Sequence, residues 1–224
     1  MRKADAITLL RVALVLAAAY MVILRLEAPY IIAVIAVAFA LDAVDGFFAA
    51  YEAGAGKLGV RTYVAAALGD TSAGKLVRRL KSKAAGASSI GPRIDVAGDR
   101  VAEYTFWVLF TYLHIIPLIL TLLIVVRHSF ADALMAARGT SSKMGSGWGR
   151  ALYASNASRL VANLLKFLAF AYLTLAYISE YPMWIGYVVV GALFAFVMLR
   201  GFAEVVESLG ARHAARSQRG GAAR

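Results

Sequence analysis

The sequence predicts an all-α integral membrane protein, and composition, the grouping of apolar residues and the placement of charge carry that expectation. Of its 224 residues, 61% are hydrophobic and 17% charged, whereas a soluble domain has about half and about a quarter. The apolar excess lies in long runs, which favours membrane spans over an oversized core. The formal net charge is +11. The basic residues flank the apolar runs, so they read as membrane-surface charge and not as a nucleic-acid face. Cysteine is absent, which excludes disulfides and thiolate metal sites.

A span needs about 20 mostly apolar residues, and six segments qualify, over 7–25, 29–51, 92–111, 113–129, 156–178 and 183–207. The N-terminal Met1-Arg2-Lys3-Ala4-Asp5 resembles the start of a signal peptide. No small-residue cleavage site follows, so a retained first helix is expected. Between the third and fourth segments, Leu113-His114 and Pro117 predict a tight turn.

Lys57, Arg61, Lys75, Arg78, Arg79, Lys81 and Lys83 lie between the second and third segments. Arg138, Lys143 and Arg150 lie between the fourth and fifth, and Arg212, Arg216, Arg219 and Arg224 lie in the tail. The other connections are short and hold Arg25, Glu27, His114 and Glu180. Positive charge marks the cytoplasmic side. The expectation is therefore a multi-pass protein of the cell membrane with both termini in the cytoplasm. Residues 1–209 would form one membrane domain, in which 52–90 is an enlarged basic cytoplasmic connection. Residues 210–224 would be a basic disordered tail. Within the connection, Ala73 to Lys83 reads either as a basic amphipathic helix on anionic headgroups or as a solvated loop.

The second segment contains Asp42-Ala43-Val44-Asp45-Gly46, and the third contains Asp95-Val96-Ala97-Gly98-Asp99-Arg100. Spacings of three and four residues put each acid pair on one helix face. An ionised carboxylate at mid-membrane costs about 2.5–3.5 kcal/mol. Four acids on neighbouring helices call for cations, and all-oxygen ligands favour Mg²⁺, Mn²⁺ or Ca²⁺. Snorkelling acids, or acids paired with Arg93 and Arg100, would account for one such pair. Two facing pairs favour a functional site. The expected architecture is one six-helix bundle around a polar, metal-binding cavity open to the cytoplasm. His114, His128 and His213 lack ligand spacing.

Asp42-x-x-Asp45-Gly46-x-x-Ala49, followed by Gly91-x-x-x-Asp95-x-x-x-Asp99, resembles the signature of the CDP-alcohol phosphotransferase family, D-x-x-D-G-x-x-A-R then G-x-x-x-D-x-x-x-D. Ile7-Thr8-Leu9-Leu10-Arg11 is similar to that family's N-terminal Thr/Arg segment. Two departures stand out: Ala50 replaces the family's Arg, and residues 51–90 replace a much shorter spacer. The contact of that Arg would be lost or supplied by another residue such as Arg61.

The resemblance implies an enzyme of phospholipid biosynthesis. It would transfer a phosphatidyl-type group from a CDP-linked lipid to a small alcohol and release CMP. It also implies a homodimer and two Mg²⁺ or Mn²⁺ ions held by Asp42, Asp45, Asp95 and Asp99. Gly46, Ala49, Gly91 and Asp45 would contact the CDP donor, and Asp99 would be the general base. Asp99-Arg100-x-x-Glu103 is similar to the D-R-x-x-D variant of members using inositol phosphate, which puts that acceptor ahead of glycerol phosphate. Arg93, Arg100, Arg127 and Lys166 would then hold the acceptor's phosphate, or else anchor the helices at the interface, as would Arg159. Glu103 would be a supporting acid. An intramembrane Mg²⁺-dependent prenyltransferase and a divalent-cation transporter are the alternatives. The former has more spans, and the latter would show broken helices and inverted repeats.

Overall fold

The computed structural model describes residues 3–54, 56–68, 70–86, 91–138, 152 and 156–221. Their helices are α1 (Lys3–Ile23), α2 (Ala28–Ala53), α3 (Val60–Ala67), α4 (Thr71–Gly86), α5 (Gly91–Tyr112), α6 (Leu118–Arg138), α7 (Asn156–Ser179) and α8 (Met183–Gly221). There is no strand among the described residues.

Among the described residues, four helical stretches are long and apolar enough to cross a membrane: Ala4–Ile23, Ala28–Ala53, Ser158–Ser179 and Met183–Ala203. Their outer faces expose Leu16, Tyr20, Tyr30, Val37, Leu164, Trp184, Val188 and Leu199. A monomer in water rarely presents so much contiguous apolar surface, whereas lipid requires it. α5 and α6 have 22 and 21 residues, close to the length of a span. Arg93, Asp95, Asp99, Arg100 and Glu103 on α5, with Arg127 and Asp132 on α6, set these two apart from the four apolar helices.

Short turns make antiparallel neighbours. α1 ends when Arg25 takes a positive φ of 53°. The Leu26 N–H then bonds the Met21 carbonyl, and the Arg25 N–H bonds Val22. His114, with φ of 58°, repeats this between α5 and α6, where Ile115 N–H bonds Phe110 and His114 N–H bonds Thr111. Both are the Schellman arrangement, which satisfies the last carbonyls of a helix. Pro117 then precedes α6, at the position where the sequence predicts the turn.

Most of the core lies between α1, α2, α5, α7 and α8. It is built on Val15, Ile31, Ile35, Phe106, Trp107, Phe110, Phe170, Leu173 and Leu193, all buried. Phe106 stacks on Phe170 at 4.8 Å between ring centroids, and Trp107 meets Phe170 edge-on at 6.1 Å. A second, smaller core joins the end of α2 to α3 and α4 through Ala50, Leu58, Ala66, Ala73 and Val77.

Residues 52–90 thus carry more structure than a basic connection. Of the two readings of 73–83, the structure has the helix. Asp70 precedes it and accepts hydrogen bonds from the N–H groups of Ser72 (2.8 Å) and Ala73 (2.9 Å) and from the Ser72 hydroxyl (2.6 Å). These bonds satisfy first-turn donors. The Ser72 hydroxyl and the Ala73 N–H hold the Asp70 carboxyl below its ordinary range. The buried face of α4, Ala73 and Val77 with Leu80, packs on α2, while Lys75, Arg78, Arg79 and Lys83 are exposed. α8 continues to Gly221, through residues expected to be a disordered tail. Lys143 and Arg150 lie outside the described residues.

Candidate metal centre

α2 and α5 carry the acids, and α1 brings the two helices together. Gly98 on α5 faces Thr8 and Arg11 of α1: a methyl group at 98 would run into the Thr8 side chain and stand 3.0 Å from Arg11 Nη2. The missing side chain lets the helices approach closely. α1 also packs along α2, so Arg11 faces both acid-bearing helices.

One carboxylate oxygen from each of Asp42, Asp95 and Asp99 lies within 4.8 Å of the others. Arg11, whose side chain is only 3% exposed, reaches between two of them. Its Nη1 donates to Asp42 Oδ1, and its Nη2 donates to Asp99 Oδ1 at 2.8 Å. The Asp42 Oδ2 accepts from Asn163 Nδ2 of α7 at 2.8 Å. A cavity beside these groups is lined by Arg11, Asp42, Asp99, Glu103, Asn163 and Lys166, with apolar walls from Val15, Ala38 and Phe39.

The donor set fits a hard divalent cation. Oxygen ligands 2.0–2.6 Å from one ion stand at most roughly 5 Å apart, and the three carboxylates meet that limit. The bonds from Arg11 and Asn163 still leave lone pairs on each Asp42 oxygen. Asp45 lies on α2, three residues after Asp42. Its side chain is outside the described residues, so the expected fourth ligand and second ion have no geometry here. Gly91 opens α5, and Ala49 is half-buried on α2.

Lys166 alone among the four candidate acceptor residues lines the cavity. Its Nζ is 2.6 Å from Glu103 Oε2, and Glu103 is 1% exposed. His128 Nε2 stands 3.6 Å from the same oxygen. Arg100 binds Asp132 of α6 through two nitrogens, at 2.7 and 2.6 Å. Arg127 packs against Gly201 of α8, and Arg93 is exposed. The structure therefore groups Lys166 with the acids and places Arg93, Arg100 and Arg127 outside the cavity lining.

Sequence reasoning did not assign Arg11 and Asn163 to the site. The available sign was a charged or amide side chain inside an otherwise apolar run, which defaults to function in a membrane helix.

Ala50, at the position where the resembled signature has Arg, is wholly buried between α2, α3 and α4. α3 and α4 pack on that helix face. Arg61, suggested as its replacement, is exposed on α3. Comparison of the chain with protein-family models, with curated proteins and with solved structures finds no match.

Proposed function

We propose that this chain is a CDP-alcohol phosphotransferase of the cell membrane. It would transfer a phosphatidyl-type group from a CDP-linked lipid to a small alcohol and release CMP. The observation that supports this most is the convergence of Asp42 with Asp95 and Asp99 from a second helix, beside a cavity. In the full reading α5 and α6 also cross the bilayer, giving six spans with both termini and residues 52–90 in the cytoplasm, and two copies associate.

Asp42, Asp45, Asp95 and Asp99 would hold Mg²⁺ or Mn²⁺, which would supply charge neutralisation for the diphosphate and for the departing CMP. The chain's own residues do the rest. Arg11 and Asn163 fix the Asp42 carboxylate, and Arg11 also fixes that of Asp99. Apolar Val15, Ala38 and Phe39 limit water beside the reacting groups. Asp99, the more exposed of the Arg11-bound carboxylates at 47% against 25% for Asp42, takes the hydroxyl proton of the acceptor. The acceptor oxygen bonds to the lipid-bearing phosphorus, the bond from that phosphorus to the oxygen of CMP breaks, and the proton passes from Asp99 to water. Lys166 offers the positive charge that suits a phosphorylated acceptor, with inositol phosphate ahead of glycerol phosphate.

The test is CMP release from CDP-diacylglycerol with inositol phosphate, glycerol phosphate, serine and free inositol, before and after EDTA and with Mg²⁺ or Mn²⁺ restored. Release should need both an alcohol and the cation. No release with any alcohol, or full release in chelator, rejects the proposal. A prenyltransferase or a cation transporter would release no CMP.

A further inference from the structure

The added helices α3 and α4 return to the helix that carries the acids. Gly46 follows Asp42 by four residues, so the two stand one above the other on the same side of α2. Over Gly46 lie two polar groups from the addition. A methyl group at position 46 would be 2.7 Å from Tyr63 Oη and 2.8 Å from Lys81 Nζ. The Lys81 ammonium also lies 5.3 Å from the centre of the Tyr63 ring, a cation–π distance.

α4 makes Lys81 different from its other basic residues. Lys75, Arg78, Arg79 and Lys83 are exposed, whereas Lys81 is half-buried on the side that packs against α2. Val77 and Leu80, buried and half-buried in the small core, fix the helix on that side. A side chain at position 46 would push Lys81 and Tyr63 away, so the glycine allows a cation and a phenol to stand one turn above the carboxylates.

From this juxtaposition we infer that Lys81, with the Tyr63 hydroxyl, binds the diphosphate of the nucleotide-linked donor at the rim of the acid cluster. The inference rests on the proposed function and deepens it, because it assigns the donor's anionic group to residues of the added segment. A diphosphate reaching the acid cluster would meet, one helical turn from Asp42, an ammonium and a hydroxyl. Both can donate hydrogen bonds to phosphate oxygens.

Binding of CDP and of CMP to the purified protein in nanodiscs with Mg²⁺, measured by calorimetry, tests the inference without turnover. Lys81→Ala and Lys81→Gln should each weaken CDP binding about tenfold, as expected for losing a charge-assisted hydrogen bond. CMP, with one phosphate fewer, should lose less. Lys81→Arg should retain most of the affinity. Lys83→Ala removes the same charge from the exposed face of α4 and should bind CDP like the parent. Thermal midpoints of all variants accompany the titrations, and Lys81→Gln keeps most of the side-chain stem that packs on α2. Unchanged CDP binding in Lys81→Ala and Lys81→Gln overturns the inference and leaves the proposed function standing. An equal loss in Lys83→Ala overturns it too, since the effect would then be bulk charge. Failure of the parent protein to bind either nucleotide rejects both.

Discussion

Two ionic groups among the described residues are built to opposite rules. In the first, three carboxylates (Asp42, Asp95 and Asp99) gather, two of them on the Arg11 guanidinium. In the second, Glu103 is matched by Lys166 and Asp132 by Arg100. The second balances itself: each ion has a partner at hydrogen-bond distance, which is what a buried charge needs to be tolerated. The first instead crowds three acids within ligand reach of one another, beside the cavity that Glu103 and Lys166 also line. Carboxylates so close repel, and a cation between them relieves that repulsion. Ion pairs inside a helical bundle therefore do not by themselves mark a site; acids gathered within reach of one ion are the better mark.

The sharpest way to break that comparison is to neutralise the first group. Asp42→Asn, Asp95→Asn and Asp99→Asn should each lower CMP release by about a thousandfold or more, equivalent to roughly 4 kcal/mol of barrier. Asp45→Asn should do the same. The amount of each variant in the membrane should hold or rise, because each change removes a negative charge without adding bulk. Near-normal release by Asp99→Asn would remove its role as base.

The second group should respond in stability. Glu103→Gln leaves the Lys166 ammonium without its anion, and breaking such a pair costs about 3 kcal/mol or more. The thermal midpoint in detergent should fall clearly, and Glu103→Gln with Lys166→Met should recover most of it. A Glu103→Gln variant with an unchanged midpoint would erase the distinction between the groups.

A smaller effect separates attraction from alignment in the first group. Arg11→Met removes a cation bonded to two of the carboxylates, so Mn²⁺ should bind about tenfold more tightly, as expected when a like charge leaves a cation site. Paramagnetic resonance of Mn²⁺ would read this directly. Weaker binding would mean that Arg11 chiefly aligns the carboxylates.

The smallest effect lies outside both groups, at Asp70. Its carboxyl is held below the ordinary range by Ser72 and Ala73, so its contribution is present above the unfolded value, about pH 4, and is lost as pH falls through the lower folded value. Asp70→Ala should speed proteolytic nicking within α4 at pH 7. The difference from the parent should shrink toward pH 3.

The long apolar segments were legible because length and hydropathy are properties of single helices. Each expected span corresponds to a helix, and the Pro117 turn falls where its residues place it. Asp42, Asp95 and Asp99 were legible for a related reason: a carboxylate in an apolar run is anomalous on its own. What connects helices was not. Arg11 and Asn163 become partners of Asp42 only when α1, α2 and α7 meet, and no spacing encodes a contact across 121 residues. Arg127 reads as a cavity cation from its position near a helix end, yet it lies against Gly201 because that glycine leaves space for its side chain. The core under α3 and α4 was hidden by its composition. Alanine, glycine and lysine suggest a solvated segment until Ala50, Ala66 and Ala73 are seen to interlock.

The ion pair between Arg11 and Asp42 joins helices that follow one another directly in the chain. Synthesis proceeds from the N-terminus, so this hairpin is complete while α5 is still unmade. A lone carboxylate entering the bilayer centre faces about 2.5–3.5 kcal/mol of opposition. The pair gives the hairpin its own counter-ion. Asp95 and Asp99 arrive later, to a guanidinium already in place. Arg11 would in this sense serve assembly, standing beside Asp42 before the rest of the acid cluster exists.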